Sequence, residues 1–149
     1  MNKVCTFIGH SMFVKCRLSM EELKNTIENL INNGVKTFLI GSHGEFDEMC
    51  LDVCCSLKNE YKNIKIFKVC TNLQTIMKEN NYNENIEIIS YPIENFHYKQ
   101  QITKSNEMMI DSANLIISYV NEMNFNSGAL KSLKYAKKKN KNIINLFKI

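Results

Sequence analysis

Long apolar runs are missing from this 149-residue chain. The longest, such as Leu115-Ile116-Ile117 and Thr37-Phe38-Leu39-Ile40, fall far short of the roughly 20 residues a membrane helix needs, so an integral membrane protein is not expected. The opening Met1-Asn2-Lys3-Val4-Cys5 passes directly into a strand-like run, without the apolar region and small-residue cleavage site of a signal peptide. Cytoplasmic residence follows as the expectation. One proline, Pro92, and five glycines leave no material for a Pro- or Gly-rich linker, and no low-complexity tract or internal repeat is present, so residues 1–149 are expected to form a single domain. Neither a Cys-x-x-Cys pair nor a Cys/His cluster at zinc-finger spacing occurs, which argues against a structural metal. Cys5, Cys16, Cys50, Cys54, Cys55 and Cys70 are therefore read as reduced thiols that pack as small hydrophobes.

Arginine is nearly absent as well, Arg17 standing alone among lysines in a chain of net charge +4. The densest basic cluster, Lys131, Lys134, Lys137, Lys138, Lys139 and Lys141, lies on and after a C-terminal helical pattern, where cations suit the helix dipole. Known binding motifs are lacking there, so a solvated face is favoured over a nucleic-acid patch.

What is present is an ordinary globular composition, 44% hydrophobic and 23% charged, in a chain long enough to bury a core. Its periodicity alternates. Short apolar runs at Lys3–Ile8, Val35–Ile40, Ile64–Cys70, Ile86–Ser90, Leu115–Val120 and Asn142–Phe147 read as strands. Between them, Leu18–Asn33 carries Leu23, Ile27, Leu30 and Ile31 on one helical face, and Phe46, Met49, Cys50, Val53, Leu57 and Tyr61 mark a second helix. Leu73–Lys78, Phe96–Ile110 and Ser127–Lys139 complete the helical segments, and Gly34 suits a helix end that needs a left-handed backbone. Helices between continuous apolar strands cover both faces of a parallel sheet, which predicts a three-layer α/β/α Rossmann-like domain with a mainly parallel sheet.

In such a sheet, ligands bind beyond the carboxyl ends of the strands. Three loops meet that rule: Gly9-His10-Ser11, Gly41-Ser42-His43-Gly44-Glu45-Phe46-Asp47, and Asn124-Phe125-Asn126-Ser127-Gly128-Ala129. Four of the five glycines lie in them, as close approach to a phosphate or ribose at helix N-termini would require, although tight strand-to-helix turns need glycine too. His10 and His43 are candidates for hydrogen bonding or acid-base work, and no third histidine or cysteine is placed to complete a metal site. Glu45, Asp47 and Glu48 occupy a helix's first turn. They either stabilise that turn, with Ser42 or Gly44 as its cap, or accept hydrogen bonds from a ribose or base. On the second view phosphate belongs at the other helix, beside Ser127 and the amides of Gly128 and Ala129. Tyr119 fits either the cleft or the core. Phe96, His97 and Tyr98 are read as aromatic packing, and Met108 and Met109 as an adaptable surface or part of the core.

The set Phe7-Ile8-Gly9-His10, Gly41-Ser42-His43-Gly44-Glu45-Phe46-Asp47-Glu48, Met109-Ile110-Asp111-Ser112-Ala113-Asn114 and Asn126-Ser127-Gly128-Ala129 followed by Lys134-Tyr135-Ala136 resembles small bacterial proteins of the SLOG superfamily. Those are Rossmann-like relatives of the Lonely Guy phosphoribohydrolases and the DprA/Smf DNA-processing proteins. The resemblance implies a nucleotide or nucleotide-derived ligand held by the loops containing Gly9, His10, Ser11, Gly41, Ser42, His43, Gly44, Glu45, Asp47, Asn126, Ser127, Gly128 and Ala129. It also implies a homo-oligomer paired through helices beside the cleft. Lonely Guy enzymes carry Pro-Gly-Gly-x-Gly-Thr-x-x-Glu at the late loop. Aligning its last glycine with Gly128 puts Ala129 at the threonine and Ser132 at the catalytic glutamate, and Ser105 stands where many relatives have arginine. Without that acid and guanidinium, a binding module or sensor with no cofactor is favoured. An N-glycosidic hydrolase using Asp47 or Glu45 is the alternative, and a DNA-associated role the weakest of the three.

Overall fold

A computed structural model describes residues 3–71 and 84–148. Its elements run β1 (Lys3–Gly9), α1 (Met20–Asn32), β2 (Val35–Ile40), α2 (Glu45–Lys58), β3 (Lys65–Val69), β4 (Ile86–Ile89), α3 (Tyr98–Ser112), β5 (Leu115–Tyr119), α4 (Gly128–Lys138) and β6 (Asn142–Asn145). The expected helix over Leu73–Lys78 lies outside the described residues. The six strands form one sheet in the order β4-β3-β2-β1-β5-β6, every pairing parallel.

Successive side chains of a strand point to opposite faces, and the two faces are filled by different helices. Cys5 and Phe7 of β1, Phe38 and Ile40 of β2 and Ile117 of β5 pack under α1 and α2, against Leu23, Ile27, Phe46, Cys50 and Val53. On the opposite face Ile8, Ile116 and Val120 meet Ile110 of α3 and Leu130, Leu133 and Ala136 of α4, while Leu39 and Val69 meet Met109. The domain is thus a three-layer α/β/α sandwich of Rossmann-like type. Among the described residues no helix is long and apolar enough to cross a membrane.

Local signals explain the element ends. Ser19 accepts the Glu22 N–H to cap α1, and Glu21 and Glu22 complement the helix dipole. Gly34, at φ +101°, turns the chain back into β2. The segment Asn142–Phe147 is shorter as a strand than expected. Its pairing ends at Asn145, whose side chain takes over by accepting the Val120 N–H and donating to the Val120 carbonyl. No disulfide forms among the described residues, and Cys5, Cys50, Cys54 and Cys70 are buried. Cys16 departs from the core reading: it is exposed, and its thiol donates to the Phe13 carbonyl. Met109 is buried and Met108 half-buried, so the core reading holds for the first.

The sheet order fixes where a site can lie. The chain steps outward from β1 through β2, β3 and β4, then crosses over to β5 on the other side of β1. The loops leaving β1 and β5 consequently diverge to opposite faces, opening a crevice at their carboxyl ends.

Candidate functional site

Two strand ends and two helix starts build the crevice. Beyond β1 the His10 N–H bonds the Tyr119 carbonyl at 3.2 Å, extending the pairing with β5 by one residue. The His10 Nε2 then accepts the backbone N–H of Asn121 at 2.8 Å. An acceptor at Nε2 leaves the ring proton on Nδ1 and the imidazole neutral, and burial pushes its pKa down from the ordinary histidine value. Gly9 has a steric reason to be glycine: a Cβ there would stand 2.2 Å from a ring carbon of Phe46.

The loop after β2 is laced to the loop after β1. Gly44, at φ +121°, lies so close to Ser11 that a Cβ would come within 2.4 Å of the Ser11 Cα, and the Glu45 N–H bonds the Ser11 carbonyl at 3.0 Å. Gly44 is the N-cap of α2, and no side chain caps that end. The Glu45 carboxylate turns back onto the first loop and accepts the N–H groups of Phe13 at 3.2 Å and Lys15 at 3.0 Å, which hold its pKa below the usual carboxylate range. Ser42 is engaged elsewhere, donating to the Val69 carbonyl at 2.6 Å and thereby fastening the loop to the end of β3.

Asp47 does face the crevice. Its Oδ2 accepts the His43 N–H at 3.1 Å, and a Cβ at Gly41 would meet the same oxygen at 2.9 Å, so glycine there makes room for the carboxylate. Desolvation by the surrounding protein dominates over that hydrogen bond and over Lys68, and raises the Asp47 pKa from 3.8 to about 7. His43 is shifted down by burial, and its Nε2 lies 3.3 Å from the Thr71 hydroxyl.

On the far side Ser127 caps α4 by accepting the Leu130 N–H at 2.9 Å. The amides of Gly128 and Ala129 precede the first intrahelical hydrogen bond and remain available to a ligand. A Cβ on Gly128 would meet nothing within 4 Å. Tyr119 serves both readings of its position. It is buried in an aromatic group with Phe46 and Phe147, ring centroids 6.2 and 5.3 Å away, and one edge lines the crevice.

Together these elements enclose a cavity of about 490 Å³, within the range of small-molecule sites. Of the residues expected at the site, Gly9, His10, Ser11, His43, Asp47, Ser127, Gly128 and Ala129 line it. Gly41, Ser42, Gly44, Glu45 and Asn126 do not; the first four secure the loops that carry the lining residues. Asn124, the first residue of the third expected loop, lines it as well, and the structure adds Arg17, Asn121 and, from α3, Ile102 and Asn106. Arg17 is the one whose signal stood in the sequence, as the sole guanidinium. Its side chain makes no hydrogen bond or ion pair among the described residues. Ser105 is buried, one position before Asn106.

Elsewhere the expected residues have structural work. His97 caps α3 by accepting the Lys99 N–H and stacks near Tyr98, and Phe96 lies under the Lys104 ammonium. In the lysine cluster Lys137 pairs with Glu122, Lys139 sits over the Tyr135 ring, and Lys141 donates to the Ala113 carbonyl at the end of α3. Among the described residues, no three His, Cys, Asp or Glu side chains converge as metal ligands. The chain matches no protein-family model and no curated protein.

Proposed function

We propose that this chain is a cytoplasmic SLOG-like module that binds a nucleotide or nucleotide-derived small molecule, as sensor or carrier, and that it pairs with a second copy. One observation carries the reading. The switch-point cavity brings the free amides at the start of α4 and the Arg17 guanidinium, unpaired among the described residues, together with the hydrogen-bonding groups Asp47, His10 and Asn121. Amides at a helix start and a guanidinium suit an anion, while a carboxylate suits hydroxyl or amino donors. A ligand with a phosphate at one end and a sugar or base at the other meets both demands. Asp47 sits on α2 and the free amides at the start of α4, which supports separate places for sugar and phosphate.

Thermal unfolding with nucleoside monophosphates, cyclic nucleotides, nicotinamide dinucleotides and ribose 5-phosphate tests this, with product analysis of any stabilising compound. A ligand at 100 times its Kd adds about 2.7 kcal/mol of stability. The reading expects one compound to stabilise, to stay intact, and to lose its effect on Asp47→Ala and Gly128→Val. Failure of the whole panel would sink it. A second reading, N-glycosidic hydrolysis, is favoured by one observation: a carboxyl group titrating near 7 can donate a proton to a leaving base at neutral pH. Cleavage of the stabilising compound, abolished by Asp47→Asn, is its signature.

A further inference from the structure

Phe13 stands out at the mouth of the cavity. Its backbone is left-handed, at φ +64°, a region that bulky residues seldom occupy. The turn is nonetheless tightly held: Glu45 accepts the Phe13 and Lys15 N–H groups, the Cys16 thiol donates to the Phe13 carbonyl, and the Val14 carbonyl accepts from Arg17 and Leu18 at 3.0 and 2.8 Å. The adjacent Val14 is wholly buried and anchors the turn, while the larger Phe13 is 63% exposed. This inverts the usual preference for burying the larger side chain. Met12 and, across the cavity on α3, Ile102 are also exposed, and all three line the same cavity. Three exposed apolar side chains therefore stand at the mouth of a cavity whose lining also offers amides, Asp47, His10 and Asn121.

From this we infer that Phe13 is a stacking platform for the planar heteroaromatic ring of the ligand, a nucleobase, with Met12 and Ile102 flanking it. The inference rests on the nucleotide reading above and adds the base site to it. A base stacked at the mouth leaves the sugar and phosphate to the polar groups of the cavity, and the Arg17 guanidinium, four residues along the same turn and unpaired among the described residues, is available to the anionic end. Backbone strain held at a ligand-facing turn is a recognised form of preorganisation. An aromatic face accepts any base, so the site supplies affinity for the class of ligand more than selection among bases.

Calorimetric titration of the full chain with the four ribonucleoside 5′-monophosphates and with ribose 5-phosphate tests the assignment. Phe13→Gly removes the ring and is at ease in the left-handed turn, so it should melt no lower than the wild type. The expected result is a loss of about 5- to 100-fold for the best monophosphate, with ribose 5-phosphate changed less than about twofold. Phe13→Tyr should restore the monophosphate affinity. Equal losses for both ligands, or no loss for either, overturn the platform. So does a Phe13→Gly chain that becomes monomeric while its nucleotide affinity is unchanged, because the exposed Phe13 ring would then cover a second copy. Wild-type binding of ribose 5-phosphate alone overturns the base site and spares the wider reading; binding of neither, with cyclic nucleotides and nicotinamide dinucleotides silent as well, removes both.

Discussion

The His10 Nε2 accepts the Asn121 backbone N–H at 2.8 Å, so one neutral imidazole joins the loop after β1 to the loop after β5 across the switch point. His10→Ala leaves that amide without its partner at the rim of the crevice. A loss of about 1–2 kcal/mol in urea unfolding is expected. The bond also sets a pH dependence. The folded pKa lies below the ordinary 6.5, so the unfolded chain takes up the proton first. The stabilisation from His10 is complete above 6.5 and is lost as pH falls toward the folded value. Unfolding midpoints from pH 8 to 5 should decline less steeply in His10→Ala.

Asp47 contributes with the opposite sign. Its folded pKa of about 7 lies above the 3.8 of an ordinary aspartate, so between these values the folded chain binds the extra proton. Its contribution to stability is greatest below about 3.8 and declines as pH rises to about 7. Asp47→Asn can keep the hydrogen bond from His43 and cannot ionise. At pH 8 it should be more stable than the wild type by on the order of 1–3 kcal/mol, and near pH 4 the difference should vanish. A wild-type-like profile in the variant would show that Asp47 is well hydrated.

The glycines of the crevice divide by purpose. Gly9→Ala and Gly44→Ala each drive a methyl group into a fixed neighbour, Phe46 or the Ser11 backbone, and Gly44 adds a positive φ. Each should cost about 2 kcal/mol or more in thermal or chemical unfolding. Gly128→Ala points its methyl into open space at the first position of α4 and should stay within about 0.5 kcal/mol of the wild type. Gly9 and Gly128 both line the cavity, but only Gly128 has open space beside its Cα.

The amphipathic stripes and buried runs made the architecture readable from the residues, with β2 found at its expected bounds and Gly34 in its expected conformation. The crevice was readable for the same reason, since its loops follow from strand ends. Which loop residues face inward was not. Glu45 and Asp47 are two apart, yet the start of α2 sends one carboxylate back to Phe13 and Lys15 and the other into the cavity. Ile102 and Asn106 come from a polar segment with a weak apolar stripe, and only the placement of α3 brings them to the site. Phe13 gave no local sign of a left-handed turn, because Glu45, thirty-two positions away, helps to hold it.

The central strand has a consequence for how the molecule comes into being. The partner of β1 on one edge, β2, follows it closely in the chain, whereas the partner of its other edge, β5, where Cys5 meets Leu115, is made only much later. During synthesis the first βα units thus carry an unpaired edge, a surface prone to association with other chains. The crevice does not exist until β5 and the first turn of α4 have been laid down. A ligand that needs both sides of it has nothing to grip in the half-made sheet. Such a ligand would slow the escape of the finished domain from its native state and leave the rate of its formation unchanged.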